Sequence, residues 1–346
     1  MSVLDTLAVI SGLVIIAGTI VSVVKTLVVP RRAWSLVPRA VEATTTWIFM
    51  TIARRMRSYD LIDRFLGFLG PSVLILQLLV WLGLLVLGFA LLLIPSTESF
   101  ASALAHSGSS TFTLGITSRD PGATTAIDVA AGAAGLIVIA LTIAYLPAIY
   151  QVIRRRAVLS KQLGNRVGAP AWGPQILIAH HAADATGILP ALYTDWDLWA
   201  CEVADGHTKY PVLNQFRLPR SHHHWLVSLT AILDAAAMDI SVRTDAPPQA
   251  RLLLQSGIAT ITHDIAPPLR IDAGSRGTVM VTEKEFSDAY DLLVASGYPC
   301  DIPSVRAWPR FAEWRRTYAH AATEILDAVV APEAPWTGDR TLPRNR

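Results

Sequence analysis

The chain is 346 residues long, 52% hydrophobic and only 16% charged, with a mean hydropathy of +0.42. That balance is too apolar for an ordinary soluble protein and puts the membrane class first. The net charge of +2 gives no footprint of a nucleic-acid binder, and the two distant cysteines, Cys201 and Cys300, read as reduced thiols, too few for a metal cluster.

The first predicted element is an uncharged apolar span over residues 6–24, close to the ~20 residues that one bilayer crossing needs. Asp5 precedes it and Lys25, Arg31 and Arg32 follow. A signal peptide wants a basic start and a shorter core, so this span is expected to remain as a membrane helix. Residues 43–53 are too short to cross and carry Trp47, Ile48, Phe49, Met50 and Ile52 ahead of Arg54, Arg55 and Arg57. They predict an in-plane interfacial helix, with Trp at headgroup level and Arg reaching anionic lipid, or else a helix buried beneath the membrane part.

A second span covers residues 72–94, rich in leucine with Trp81 inside. A third covers 129–153, opened by Asp128 and closed by Arg154, Arg155 and Arg156. Basic residues set the orientation. The linker between the first and second spans holds Arg31, Arg32, Arg39, Arg54, Arg55, Arg57 and Arg64; between the second and third, only Arg119 stands against Glu98, Asp120 and Asp128. The linker and the chain after Arg154 are therefore expected in the cytoplasm, and the N-terminus outside, in a multi-pass protein of the cell membrane.

Between those two spans the chain reads IPSTESFASALAHSGSSTFTLGITS. A short helix is expected from about Pro95 to Gly108, with Ser96 or Thr97 as N-cap. The extended run Thr113-Leu114-Gly115-Ile116-Thr117 follows. A short, mildly polar helix and an extended piece between two spans have the layout of a re-entrant loop. Non-helical backbone at membrane depth is tolerated only where it is buried in protein or lines water.

On these residues, the stretch 70–156 resembles the pore module of the tetrameric potassium-channel superfamily, whose filter reads TVGYG and is built from rings of backbone carbonyls. Thr113 takes the place of the filter threonine, Leu114 the valine and Gly115 the first glycine. Ile116 replaces the tyrosine, Thr117 the second glycine and Ser118 the aspartate. The resemblance implies a homotetrameric channel for a monovalent cation, potassium by the family, with no cofactor, no metal site and no reaction catalysed. The coordinating atoms would be the Thr113 hydroxyl and the carbonyls of Leu114, Gly115 and Ile116. Thr117 is β-branched where glycine reaches φ > 0 without penalty, and the aromatic brace is missing, so weak selectivity is expected. Ser118, Asp120 and Asp128 fall at the outer mouth; Asp128 also reads as a carboxylate favoured by the start of a helix. The same spacing allows an ordinary loop in a membrane-anchored sensor or scaffold. A transporter is disfavoured, since three spans carry no inverted repeat.

In the third span, Gly132 and Gly135 allow either close helix packing or a hinge. Pro147 removes a helix hydrogen bond and kinks the chain, which would put an apolar gate ring near Leu146 or Ile149, closing by dewetting. No span carries arginine at every third position, as a voltage sensor would.

From residue 157 the sequence changes character. Residues 157–174 read as a linker into a helical cytoplasmic domain that runs to 331. Its predicted helices are one capped by Thr194 or Asp195, one capped by Ser221 and carrying Trp225, Leu229 and Ile232, one over 248–256 stopped by Gly257, one opened by the Thr282–Glu285 capping box, and one from Phe311 to Val329. Residues 175–178 and 278–281 are expected as strands, and 332–346 as a disordered tail. No G-x-G-x-x-G, P-loop, G-x-S-x-G or H-E-x-x-H motif occurs. His180 and His181, and His222, His223 and His224, are adjacent; consecutive helical histidines point apart, which argues against one metal site and leaves a pH-responsive or plain surface role. The expected architecture is mainly α: an N-terminal membrane helix (1–29), a linker helix (30–69), a pore module (70–156) and the cytoplasmic domain. That makes three transmembrane helices with a re-entrant loop, and partners limited to lipid, monovalent cations and other copies of the chain.

Overall fold

Long apolar runs must satisfy their own backbone polar groups, and the helix does so locally. The computed structural model describes residues 3–29, 35–115, 124–218, 222–272 and 279–337. It is 79% helical, with no strand among the described residues. The chain divides into two compact units, Met1–Ile48 with Pro71–Tyr150, and Phe49–Gly70 with Gln151–Arg346. Among the described residues, four helices are long and apolar enough to cross a membrane.

Three of the four are α1 (Val3–Leu27), α4 (Leu69–Leu93) and α6 (Thr125–Val167), near the expected spans. Between them lie α2 (Leu36–Ala53), α3 (Tyr59–Leu66) and α5 (Phe100–Thr111). In the first unit, α1 and α4 cross at Gly12 and Gly88. A Cβ on Gly12 would stand 2.6 Å from the Gly88 carbonyl oxygen, so the backbones meet directly, as small residues permit where lipid gives helices no hydrophobic reason to associate. Trp81, 1% exposed, donates its indole N–H to Ser22 Oγ at 3.1 Å. Val23, Leu82, Leu85, Phe89, Ala131 and Val138 complete this core. The other side of α1 (Leu7, Ile10, Val14, Val21) stays exposed. Gly12→Leu is expected to lower the unfolding midpoint in detergent by the equivalent of about 1–3 kcal/mol through overpacking. Gly18→Leu, whose Cβ meets nothing within 4 Å, leaves the midpoint unchanged.

α2 begins at Leu36, earlier than predicted. Trp47, Ile48 and Ile52 are exposed, while Phe49, Met50 and Ala53 pack with Ile62, Leu66 and Val330 in the second unit. The unpredicted α3 is tied there by Asp63, which pairs with Arg217 at 2.6 Å. Arg217 also donates to the Val329 carbonyl at 2.6 Å.

The second unit is built on α9 (Trp225–Val242), the fourth apolar helix, every residue of which is buried. A helix apolar all round belongs in a membrane or at the centre of a protein. Here α7 (Gly173–Ala182), α8 (Leu189–Lys209), α10 (Gln249–Ala259), α12 (Ser304–Arg315) and α13 (Ala319–Ala328) surround it. Its two carboxylates are satisfied inside the unit: Asp234 by Arg315 and by the Tyr318 hydroxyl at 2.5 Å, Asp239 by the hydroxyls of Tyr193 at 3.0 Å and Tyr298 at 2.8 Å. Arg156, expected at the cytoplasmic end of a span, is 1% exposed and donates to the carbonyls of Leu213 at 3.2 Å and Phe216 at 2.8 Å. Burial, then the Arg156 guanidinium, push the His207 imidazole down to about 3. It stays neutral, donating from Nδ1 to the Val203 carbonyl at 2.8 Å and accepting from Arg156 at Nε2.

Several predicted boundaries move. The supposed linker at 157–174 is helix as far as Val167, since its run of helix formers outweighs Gly164. Residues 175–178 are helical, not a strand: Pro174 fits the first turn of α7, and a short apolar run has no period of its own. Residues 279–281 form no strand either. Thr194 and Asp195 lie inside α8, which opens at Leu189 with Pro190 in its first turn. Ser221 lies outside the described residues. Gly257 does not stop its helix; Leu233 of α9 occupies the space a Cβ would need, at 2.6 Å, and the chain continues as a π-helix, Thr260–Ile265. The capping box at Thr282–Glu285 forms as predicted and opens α11 (Glu283–Ala295). The predicted last helix breaks between α12 and α13, a break that lets Arg315 and Tyr318 reach the same carboxylate. The tail is ordered through residue 337: Trp336 is 9% exposed and meets Trp172 edge-on at 5.5 Å.

Candidate functional site

The junction of α5 and α6 gathers most of the predicted residues in the first unit. α5 starts at Ser99, whose hydroxyl accepts from the Ser102 N–H at 3.2 Å. The predicted caps are not used: Ile94–Ser96 is a 3₁₀ turn, and Thr97 donates its hydroxyl to the Leu93 carbonyl at 3.0 Å. Apart from Ala103, the buried face of α5 is polar: His106, Ser107, Ser109 and Thr111. Ser107 donates to the Val86 carbonyl on α4 at 2.7 Å. His106 Nε2 sits 3.1 Å from Asp128 Oδ2, and Ser110 donates to Asp128 Oδ1 at 3.0 Å. One carboxylate in the first turn of α6 thus holds two residues four apart on α5. Asp128 stands in the first turn of α6, where the helix start favours a carboxylate, and its oxygens are engaged by α5.

Gly132 and Gly135 are the seats of α5. A Cβ on Gly132 would lie 3.2 Å from the Ser110 carbonyl oxygen, and one on Gly135 only 2.2 Å from that of Thr111. This is close packing at both glycines, made possible by the missing side chain.

α5 then ends in a Schellman turn. The Thr113 N–H bonds the Ser110 carbonyl at 3.0 Å and the Leu114 N–H that of Ser109 at 2.8 Å. The left-handed position, where glycine is usual, is filled by Thr113 at φ 54, and Gly115 follows at φ 63. A β-branched residue in that region costs about 1–2 kcal/mol. The buried Thr111 hydroxyl has no partner among the described residues, a further penalty of about 1–3 kcal/mol. Phe112, Thr113, Leu114 and Gly115 are all exposed.

No family model, no curated protein and no solved structure matches the chain. The functional reading therefore rests on the residues themselves. Of the predicted filter, Thr113, Leu114 and Gly115 form the turn; Ile116 and Thr117, with Ser118 and Asp120 of the mouth, lie outside the described residues. Of the predicted gate, Pro147 stays inside α6, exposed, and Leu146 is half-buried. Ile149 is 0% exposed.

The histidines go to separate partners. His180 bonds the Ile176 carbonyl, His181 lies near Tyr298, His222 is 3.9 Å from Asp60, His223 covers Gly164 and His224 stacks on Trp225. No cluster able to hold a metal occurs among the described residues. Sequence reading missed the His106–Ser110–Asp128 clamp. Its signal was there: polar residues at 106, 107 and 110 share one face of a helix placed between two apolar spans.

Proposed function

We propose that this chain is a subunit of a homotetrameric cation channel whose ion path is lined by the turn after α5. The observation that carries the reading is a helix of 12 residues, about 18 Å long and hence little more than half the ~30 Å hydrocarbon core. Its polar face is buried against two membrane-length helices, and it ends in a turn with two left-handed residues left exposed. Backbone strain beside an unsatisfied hydroxyl is kept where function needs it. The C-terminal end of α5 brings about half a negative charge toward that turn, which favours a cation. Phe112 and Leu114, 43% and 59% exposed, are apolar surface that neighbouring copies would cover.

The arginine-rich linker between α1 and α4 and the arginines at 154–156 favour a cytoplasmic side for both segments, which puts the N-terminus outside.

Purified protein in a planar bilayer is expected to give single-channel currents and a tetrameric mass, and Gly115→Asp to abolish the current. A Cβ on Gly115 meets nothing within 4 Å, but its φ of 63 strains any side chain there, so the variant's unfolding midpoint and tetrameric mass are measured beside its current. A second reading, a membrane-anchored sensor or scaffold acting through its helical unit, is favoured by the self-contained hydrogen bonding of the Schellman turn. A silent, non-tetrameric protein would establish it over the channel.

A further inference from the structure

Within the second unit, a cleft of about 310 Å³ is lined by Arg166, Ala179, His180, Ala183, Ala185 and Ile188. That is the lower end of the ~300–1,000 Å³ range of small-molecule sites. His180 is 5% exposed, and its Nδ1 lies 2.7 Å from the Ile176 carbonyl oxygen. A carbonyl only accepts, so Nδ1 donates there, and Nε2 has no protein partner among the described residues. Arg166, in the last turn of α6, is exposed and makes no ion pair or hydrogen bond with a described residue. The remaining wall is three alanines and Ile188, with no aromatic ring to stack a nucleobase.

We infer that this cleft binds an aliphatic phosphate monoester, with Arg166 pairing two phosphate oxygens, a third oxygen meeting His180 Nε2 and the alkyl body lying on the alanines and Ile188. A planar guanidinium matches phosphate in a bidentate way. A carboxylate has two oxygens, both taken by the guanidinium, and leaves Nε2 without a partner. Inorganic phosphate has oxygens for both groups and leaves the apolar wall uncovered. The site does not depend on the channel proposal and stands if no current is found.

Isothermal titration of the full chain in zwitterionic nanodiscs tests it, with n-butyl phosphate, butyrate and inorganic phosphate as probes. Butyl phosphate is expected to bind, and the other two at least about tenfold more weakly, a difference of about 1.4 kcal/mol. Arg166→Gln should weaken butyl phosphate by about tenfold or more. Ala183→Leu, at an exposed position, should fill the cleft and abolish binding, both variants keeping the wild-type unfolding midpoint. Phosphatidic acid in the discs identifies the source: if the heat disappears the natural occupant is the lipid headgroup, and if it persists the occupant is a soluble ester. No heat with butyl phosphate overturns the inference. So does unchanged binding by Arg166→Gln, or inorganic phosphate binding as tightly as the ester.

Discussion

Gly135→Val is expected to unseat α5 and to be the most damaging single substitution in the first unit. Its Cβ would fall 2.2 Å from the Thr111 carbonyl oxygen and 3.1 Å from the carbonyl carbon, and no side-chain rotation relieves a backbone clash. Nor is the carbonyl free to swing, because it belongs to the last turn of α5, whose Ser109 and Ser110 carbonyls are tied by the Leu114 and Thr113 N–H groups. The helix as a whole must withdraw, against the Asp128 bonds to His106 and Ser110. The destabilisation should reach the upper end of the overpacking range, about 3 kcal/mol, read from the unfolding midpoint in detergent. Any current should vanish with it. Gly132→Ala is the graded comparison: at 3.2 Å from the Ser110 oxygen its neighbour need yield only a little, and its loss should be smaller. A wild-type midpoint for Gly135→Val would mean that α5 does not rest on α6 at that glycine.

How much of this was legible beforehand follows from which signals are local. Three apolar runs of bilayer length announce themselves by composition alone, and α1, α4 and α6 are the result. The Thr282–Glu285 box is local too, and it forms. Packing against distant residues is what the sequence conceals. Gly257 looks like a helix stop and Gly164 like part of a linker, yet Leu233 and His223 fill the space that a Cβ would take. Trp225–Val242 shows an apolar stripe on paper, but its Asp234 and Asp239 are also inward, because arginine and tyrosines from other helices neutralise them. The Pro-rich tail reads as unstructured, yet through residue 337 it is held by the Arg315 bond to the Trp336 carbonyl and by Trp336 packing on Trp172 and Phe311. At the candidate site, the positions of Thr113 and Gly115 after a short helix could be foreseen, whereas the clamp through Asp128 required knowing which carboxylate faces α5.

Arg315→Met is expected to cost the second unit about 3–5 kcal/mol, the penalty for stranding one partner of a buried ion pair. Arg315 and Asp234 are 1% and 2% exposed. Burial opposes the charge on Arg315, but Asp234 and Tyr318 more than offset it, so the guanidinium's pKa lies above its ordinary value. Besides Asp234, Arg315 donates to the carbonyls of Val279, at 2.9 Å, and Trp336. Methionine removes all three bonds and leaves Asp234 with only the Tyr318 hydroxyl. The lost bond to Trp336 should also release the segment after Ala331, making it open to limited proteolysis at concentrations where the wild type is not cut. Asp234→Leu should be milder, since the guanidinium keeps both carbonyls and the rings of Trp336 and Tyr318, at 5.6 Å and 5.9 Å. The double variant Asp234→Leu/Arg315→Met separates a charge pair from plain packing. Apolar replacement of both ions restores a neutral core, so its loss should fall well short of the sum of the singles. Strict additivity in chemical denaturation would mean that the two charges do not depend on each other, and that α12 is held to α9 by its apolar contacts alone.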